Sequence, residues 1–326
     1  MRTIINWCDN SDLQIAREET EILLLTRMRV PRIFNLTLAG KTLITRERVI
    51  YLGVVLNTKR NFYDHIEVVR ARADAVVGAI RGLLPNVNRP SNACRKLYYQ
   101  VWKSVVLHTS PVWLDALSKT KVVKEPCKAQ RSALTSTSTP YRTVSHAALC
   151  VLTGTLPVHI RARWRDRVCK VEKLVRPDLQ NPEMIFDQLK LHEEEALEEW
   201  RREWSKYNTN NWTRRLIDDA ATFRKRKRSI DHFTMQMLTG HGIFNNYRVR
   251  INKETDDKCW DCDASPVDAE HVLLRCPRWA IQRTTLENMM GDIFTAHNII
   301  ALVWTNDHIW GQFRVFCTIV MKSRQA

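Results

Sequence analysis

The first sixty residues contain short stretches in which apolar and polar positions alternate, the pattern of half-buried β-strands. Residues 33–38 alternate, residues 39–41 carry the turn sequence Ala-Gly-Lys, and residues 42–44 alternate again, which predicts a β-hairpin. Residues 49–56 form a further apolar segment, predicted as one strand interrupted by Gly53. A glycine at such a position marks either a bulge or the close approach of another backbone, and the sequence leaves both open.

From residue 62 onward the apolar residues recur at steps of three and four, which predicts amphipathic helices. The first spans about residues 62–83 and the second begins after Pro90, so together they predict a helical hairpin. The second helix has an apolar stripe of three residues: Leu97, Val101 and Val105. Strands are therefore expected only near the N-terminus, and the remainder of the chain is expected to be mainly helical.

The middle of the chain contains one predicted break and several helix signals. Residues 132–139, rich in serine and threonine, predict a linker or exposed loop. Ser145 is a candidate N-cap of a short helix that ends at Gly154, and Pro157 opens a longer helix. Residues 185–204 predict an acidic connector or packing helix. Apolar residues at helical spacing predict a last helix: Ile309, Phe313, Phe316 and Val320.

Basic residues concentrate on the predicted helices. The first predicted helix, at about residues 62–83, carries Arg70 and Arg81 on its polar face. The helix after Pro157 carries a basic ridge that is predicted to face largely outward: Arg161, Arg163, Arg165 and Arg167. An ordinary solvated helix face explains that ridge equally well. A run of five cations suits phosphate contact or nuclear import: Arg224, Lys225, Arg226, Lys227 and Arg228.

Length, composition and charge indicate a folded protein with a polyanionic partner. The chain has 326 residues, enough for two or three compact units, and 44% apolar residues with 11 tryptophans exclude general disorder. No apolar run reaches the ~18 residues of a membrane span, and residues 1–10 lack a secretory signal. We therefore expect no membrane partner, and a nuclear and/or cytoplasmic location rather than secretion. The charge of +16, from 51 Lys plus Arg against 35 Asp plus Glu, favours a polyanionic partner such as nucleic acid.

Four residues near the C-terminus form a C-x2-C-x8-H-x4-C array: Cys259, Cys262, His271 and Cys276. Three thiolates and one imidazole are the ligands of a closed, tetrahedral structural zinc site, which leaves no position for a catalytic water. The alternative is a set of unrelated buried thiols and a surface histidine. We expect residues 268–274 to begin a short helix that presents His271. The other cysteines are scattered, so no disulfide is predicted.

Motifs for catalysis are missing. Neither Asp9 with Asp12 nor Asp218 with Asp219 lies at a strand turn that would converge two oxygens on one metal ion. The sequence contains no Walker loop, no dinucleotide fingerprint and no G-x-S-x-G elbow. His232 and His241 are expected to be core or surface histidines rather than bases. No catalytic residue is therefore predicted.

Several segments, in order along the chain, resemble the region after the polymerase palm in reverse transcriptases of non-LTR retrotransposons, especially the jockey-like and rDNA-inserting clades of arthropods. The segments that carry the resemblance are VIYLGVVL at 49–56, LLPNV at 83–87, PVW at 111–113, YRTVS at 141–145, LTG at 152–154, LTGHG at 238–242, and AEHVL at 269–273 with Cys276-Pro277. The likeness covers nearly the whole chain.

The resemblance implies an α+β, mainly α fold with a small N-terminal β-hairpin or sheet as the remnant of a polymerase palm. Residues 1–60 would hold that remnant and a primer-grip-like segment at Tyr51, Leu52 and Gly53. Residues 61–130 would form thumb-like helices, residues 131–230 a helical connector with the basic run, and residues 231–326 a C-terminal domain with the CCHC zinc module. Template–primer or element RNA and DNA would be the partners.

Two departures from the family pattern bear on activity. The palm aspartates have no counterpart in this sequence, so Mg²⁺ is expected only if the missing palm is supplied. Glu19 stands where the next palm motif usually has a lysine. We therefore expect an inactive fragment of an RNA-directed DNA polymerase that retains RNA and DNA binding. The alternatives are a zinc-stabilised helical protein-interaction scaffold, and a gene whose palm is encoded just upstream.

Overall fold

Helices make up most of the described chain, and every described strand lies before residue 58. The structure is a computed structural model that describes residues 2–16, 18–26, 33–38, 40–83, 92–174, 182–225, 228 and 230–325. The expectation of a mainly helical protein with small N-terminal sheets is thereby confirmed. The assignment of these parts to a palm remnant and a thumb stays a prediction.

The N-terminal part contains one short helix and five strands. Helix α1 is Arg2–Asn10, and the strands are β1 (Ile22–Leu23), β2 (Asn35–Leu38), β3 (Lys41–Arg46), β4 (Arg48–Tyr51) and β5 (Val54–Asn57). Strand β3 pairs with β1 in parallel and with β2 antiparallel, with Leu36 opposite Leu43. Leu38 and Leu43 are buried. The hairpin predicted at residues 33–44 is confirmed.

Residues 49–56 do not form the single strand predicted from their apolar character. Strands β4 and β5 are antiparallel, with Tyr51 opposite Val54, and the two residues between them form a tight turn. Leu52 and Gly53 both have positive φ, 47° and 81°, the backbone that a two-residue hairpin of type I′ requires. Gly53 therefore reverses the chain, and the prediction of one strand was wrong.

The remaining described elements are helices. They are α2 (Tyr63–Leu83), α3 (Asn92–Val106), α4 (Ser110–Trp113), α5 (Thr120–Ser138), α6 (His146–Thr153), α7 (Val158–Leu174), α8 (Pro182–Ser205), α9 (Trp212–Leu216), α10 (Thr222–Lys225), α11 (His232–Thr239), α12 (Asn245–Arg250), α13 (Ala280–Met290), α14 (Ile299–Val303) and α15 (Asp307–Ser323). The predicted helical hairpin corresponds to α2 and α3, which pack on each other and on α5. The predicted last helix is α15, and its apolar face is buried.

Helix α3 buries a different face from the stripe that the sequence indicated. Tyr99, Trp102 and Val106 are buried, whereas Leu97 is 64% exposed and Val101 is also exposed. The tyrosine and tryptophan rings stack with centroids 5.4 Å apart. Aromatic rings remove more apolar area from water than the aliphatic stripe does, so they decide which face packs inward.

The serine- and threonine-rich residues 132–139 are not a linker. All but the last belong to helix α5, where Ala133 and Leu134 are buried. The hydroxyl of Ser136 donates to the carbonyl of Ser132, and that of Ser138 donates to Leu134. Bonding to the preceding turn satisfies these hydroxyl groups within the helix. Composition alone was misleading, because the buried pair between the hydroxyl residues decides the structure.

Helix α6 has the ends that its sequence predicted. The Ser145 hydroxyl accepts a hydrogen bond from the N–H of Ala148, and Gly154 ends the helix with φ 63°. A Cβ on Gly154 would lie 2.7 Å from the carbonyl oxygen of Phe223, so a side chain at this position would push α10 away from α6. The C-terminal glycine of α6 is thus required both by its backbone conformation and by close packing.

Replacing Gly154 by alanine is expected to lower the free energy of unfolding by about 2–4 kcal/mol, since left-handed strain and a backbone clash add. Gly291 ends α13 with φ 71° and nothing lies near its Cβ position, so Gly291→Ala is a matched control expected to cost about 1 kcal/mol. Urea denaturation followed by circular dichroism measures both. Equal costs for the two variants would show that the α6–α10 contact does not matter.

The basic ridge of α7 is only partly outward. Arg163 pairs with Glu199 of α8 at 2.5 Å, and Arg167 pairs with Glu195 at 3.4 Å. Arg165 is exposed, as predicted. Helix α8 is therefore a packing helix, one of the two roles that its acidic sequence indicated, and its glutamates neutralise half of the ridge.

One contiguous apolar core extends from Ile66 to Met321 and includes residues of α2, α5, α8 and α15. It continues across the boundaries predicted near residues 130 and 230, and the division into domains stays a prediction. Within the described ranges, none of the helices combines the length and apolar character needed to cross a membrane.

His146 at the start of α6 is hydrogen-bonded to the buried Gln130, with 2.7 Å between Nε2 and Oε1. Burial, then the charge of His159, lowers the pKa of His146 to about 4. The unfolded chain, with a pKa near 6.5, binds more protons between these values. Stability is therefore expected to fall as the pH drops from about 6.5 to about 4.

The contribution of His146 is at most about 1.4 kcal/mol per pH unit in that window. Urea denaturation of the wild type and His146→Gln at pH 4.5, 5.5 and 7 isolates it, because other titrating groups are common to both proteins. The difference in stability between the two should narrow as the pH falls. A difference that stays constant with pH would contradict the assignment.

Candidate metal centre

The loop between α12 and α13 brings its cysteines together through backbone turns. The N–H of Cys259 donates to the carbonyl of Ala264 at 2.8 Å, and the N–H of Asp263 donates back to Cys259 at 3.1 Å. These bonds close a tight turn around the two-residue spacer that separates Cys259 from Cys262. The first two thiols of the array therefore point into one space.

The second pair of ligand residues is set by a short helical segment. The side chain of Asp268 accepts a hydrogen bond from the N–H of His271 at 2.8 Å and so caps the turn. Residues His271–Arg275 then form one π-type turn, in which the N–H of Cys276 donates to the carbonyl of His271 at 2.8 Å. This i to i+5 bond explains why four residues separate the two ligands. The short helix predicted to present His271 is confirmed.

The four side chains converge. Their ligand atoms all lie within 4.8 Å of one another. The sulfurs of Cys259 and Cys276 are 3.9 Å apart, and the sulfur of Cys262 lies 3.4 Å from Nε2 of His271. Zn–S bonds of about 2.3 Å at tetrahedral angles place sulfurs about 3.8 Å apart, so the separations fit a tetrahedral ion. The cluster can hold a metal such as zinc.

The imidazole is already in the form that binds a metal, whereas the most strongly shifted thiol must lose its proton to do so. Burial lowers the pKa of His271, so its imidazole is neutral at pH 7, the form that ligates. Burial raises the pKa of the Cys276 thiol to about 12. An ionised sulfur in this position needs a nearby positive charge, which a divalent cation supplies.

Arg324, after α15, joins the metal loop to the rest of the fold. Its side chain is 1% exposed and donates to the carbonyl of Ile243 at 2.9 Å and to Oδ1 of Asn245 at 3.1 Å. It also lies 3.6 Å from a carboxylate oxygen of Asp261 and 4.7 Å from the ring centroid of Trp260. Arg324 was not among the residues predicted from the sequence, because no periodicity marks a cation that is buried at the end of a helix.

The residues predicted to contact nucleic acid do not lie in one place. Tyr51 and Leu52 are exposed at the tip of the β4–β5 hairpin, and Gly53 faces His108. Arg70 pairs with Glu125 at 3.2 Å. Their role at a nucleic acid stays a prediction.

Two arginines of the predicted basic run at residues 224–228 form contacts within the protein. Arg224 forms an ion pair with Glu193, and Arg228 pairs with Asp307 and donates to the carbonyl of Trp304. Four of the predicted side chains lie outside the described residues: Arg81, Lys225, Arg226 and Lys227. The remaining arginines of the ridge, Arg161 and Arg165, have no ion pair with a carboxylate in the described part of the chain.

Comparisons with known proteins agree with the resemblance. The chain is 27% identical over 264 residues to a Retrovirus-related Pol polyprotein from type-1 retrotransposable element R1 4 of Nasonia vitripennis, with 78% of this chain and 67% of the relative covered. It is 27% identical over 270 residues to a Putative 115 kDa protein in type-1 retrotransposable element R1DM of Drosophila melanogaster. The Pol polyprotein of R1 from Bradysia coprophila is 24% identical over 276 residues.

The chain covers only part of these relatives. The alignment with the Drosophila protein covers 79% of this chain but 26% of that protein. The alignment with the Bradysia protein covers 80% of this chain but 27% of that protein. No protein-family model and no solved structure matches it. These relatives are all proteins of type-1 retrotransposable elements of the R1 group, most of them named as Pol polyproteins, and the chain is therefore a retrotransposon-derived protein similar to the Pol polyproteins of R1 non-LTR retrotransposons.

Proposed function

We propose that this chain binds RNA and DNA as the thumb-like, connector and metal-binding region of a retrotransposon RNA-directed DNA polymerase. The observation that carries the proposal is the surplus of 16 positive charges in a chain related to Pol polyproteins. Each internal ion pair cancels one cation with one carboxylate, so pairing cannot remove that surplus. A polyanion outside the chain is the natural partner.

The metal that we propose for the four-ligand cluster is Zn²⁺ in a structural role. Three sulfurs and one imidazole favour zinc over oxygen-preferring cations and complete its coordination. The ligand residues Cys259, His271 and Cys276 are buried with the apolar Val272 and Leu273. Ion binding would then order this segment and, through Arg324, fix it against α12 and α15.

Phosphoryl transfer is not part of the proposal. The motifs that carry the resemblance do not include the palm carboxylates, and palm and thumb are assigned by that resemblance alone. The proposed activity of this stretch is binding, in which phosphate contacts supply the affinity and released counterions make it depend on salt.

Titration of a labelled single-stranded RNA followed by fluorescence anisotropy tests the proposal. With about four phosphate contacts, the logarithm of the affinity should fall with a slope near −3 against the logarithm of salt concentration. That slope corresponds to a loss of about 50-fold between 50 and 200 mM salt. Weak binding that does not change with salt would contradict the proposal.

An exposed apolar surface favours the second candidate, an interaction scaffold. Helices α13 and α15 pack together, and residues on their outer faces are exposed: Ile281 at 81%, Met289, Val315 and Ile319. A self-associating scaffold would show a concentration-dependent dimer in analytical ultracentrifugation that Ile281→Glu with Ile319→Glu dissolves. A monomer at all concentrations would remove the basis for a self-associating scaffold.

A further inference from the structure

A cavity of about 590 Å³ lies between α3, the ends of α5 and α6, α8 and α10. Its volume is within the range of sites that bind small ligands or parts of larger ones. The charged residues that line it are Arg95, Lys96, Glu193, Arg224 and Arg228. Two of these cations are already paired, Arg224 with Glu193 and Arg228 with Asp307, and no ion pair in the described part of the chain joins Lys96 to a carboxylate.

Three more cations do not line the cavity themselves but lie close enough to Arg224, which does, for their charges to act on one another: Lys103, Arg161 and Arg165. Lys103 follows Lys96 by two helical turns on the same face of α3, and Arg161 and Arg165 are one turn apart on α7. The guanidinium of Arg161 lies 3.8 Å from the ring centroid of Trp164. The cations of α3, α7 and α10 that line the cavity or act on its lining residues form one basic site, which we call the basic cleft: Lys96, Lys103, Arg161, Arg165 and Arg224.

The charges of the basic cleft act on one another. Burial, followed by the positive charges of Arg161, Arg224 and Arg165, lowers the pKa of Lys103. Burial, followed by the charge of Arg224, lowers the pKa of Arg161. Among the described residues, no ion pair joins Lys103, Arg161 or Arg165 to a carboxylate. Glu193 lines the cavity but pairs with Arg224.

The neighbouring arginines of α7 show that this lack of partners is local. Arg163 and Arg167 lie on the same helix and pair with Glu199 and Glu195 of α8. Helix α8 thus neutralises one side of α7 and leaves the cleft side positive. Like charges held together without counter-charges destabilise the folded protein, and a bound anion relieves that repulsion.

We propose that the basic cleft binds consecutive phosphate groups of a single RNA or DNA strand. This proposal rests on the proposed function and gives it a location. Five cations from three helices suit several phosphates of one chain rather than one isolated anion. The volume of about 590 Å³ suits a few nucleotides of a single strand rather than a whole duplex. Lys96 and Lys103 were not among the residues predicted from the sequence.

The test compares two variants with the same change of charge. The cleft variant carries Lys103→Gln, Arg161→Gln and Arg165→Gln. The control variant carries Lys206→Gln, Lys253→Gln and Lys322→Gln, three exposed lysines outside the cleft. Labelled single-stranded RNA is titrated into the full chain and into both variants at 50, 100 and 200 mM salt.

The cleft variant should bind RNA at least about tenfold more weakly than the control at 50 mM salt, and its salt slope should be shallower by about 0.7 for each lost phosphate contact. Equal losses in both variants would overturn the cleft while leaving nucleic-acid binding intact. Absence of binding by the wild type would instead reject the proposed function. Displacement of the RNA by ATP at equal phosphate concentration would overturn the assignment to a strand.

Thermal stability gives a second readout that does not depend on RNA. If the cleft is a site of uncompensated repulsion, Lys103→Gln alone should raise the melting temperature by about 1–3 °C while it weakens RNA binding. A fall in melting temperature with unchanged RNA affinity would show that Lys103 has a structural role, and would overturn its place in the site.

Discussion

Cys262→Ser is expected to release the bound metal and to unfold the segment between α12 and α13. Apparent binding energies of structural zinc sites are about 10–16 kcal/mol, and a loop this short has no large core of its own. The backbone amides of residues 255–279 should lose their protection from hydrogen exchange. Amides of α6, which lies in the core far along the chain, should keep it.

Cys169→Ser is the matched control, since Cys169 is also half-buried and lies outside the cluster. It should keep both the metal and the protection of the loop. Treatment of the wild type with a chelator should reproduce the effect of Cys262→Ser. Full protection of residues 255–279 in the metal-free protein would show that packing alone orders this segment.

Arg324→Met is expected to lower the free energy of unfolding by about 3–5 kcal/mol. The substitution keeps most of the side-chain volume but leaves the amide oxygen of Asn245 and the carbonyl of Ile243 without their charged donor, while Asp261 keeps its second cation, Arg278. The two hydrogen bonds that are lost join buried acceptors to a charged donor and are worth about 1.5–3 kcal/mol each, whereas the ion pair with the exposed Asp261 adds little. Urea denaturation measures it.

Lys322→Met provides the comparison, because Lys322 is exposed two residues earlier, at the end of α15. Its effect should lie within about 0.5 kcal/mol. In the presence of a chelator the cost of Arg324→Met should shrink, since Trp260 and Asp261 are then no longer held by the metal loop. A cost below 1 kcal/mol in the metal-bound protein would remove Arg324 from its proposed structural role.

Local signals predicted the features that depend on neighbouring residues. The N-cap of α6 at Ser145 and its C-terminal glycine are set by backbone geometry within a few residues, and both are confirmed. The convergence of Cys259, Cys262, His271 and Cys276 was predicted for the same reason, because ligand spacing within one short segment limits where the donor atoms can lie.

The errors arose where tertiary packing overrides local preference. The apolar segment at 49–56 gives no sign of reversing until the positive φ angles of Leu52 and Gly53 are known. Residues 132–139 look like a loop by composition, yet the burial of Ala133 and Leu134 keeps them helical.

The basic cleft and the Arg324 contacts could not be found from sequence because their members are distant along the chain. Arg324 and Asn245 are separated by 79 residues, and the α3 lysines lie far from Arg224. One signal was available: Lys96 and Lys103 are seven residues apart on a predicted helix, which places them on one face. Which other helices meet that face is decided only by the fold.

The metal content of the purified 326-residue chain tests the central claim most directly. Elemental analysis after extensive dialysis should find one zinc ion per chain in the wild type and in Cys169→Ser. It should find none in Cys262→Ser. A wild-type protein without bound metal, or a Cys262→Ser protein that keeps it, would contradict a C-terminal segment organised by an ion at Cys259, Cys262, His271 and Cys276.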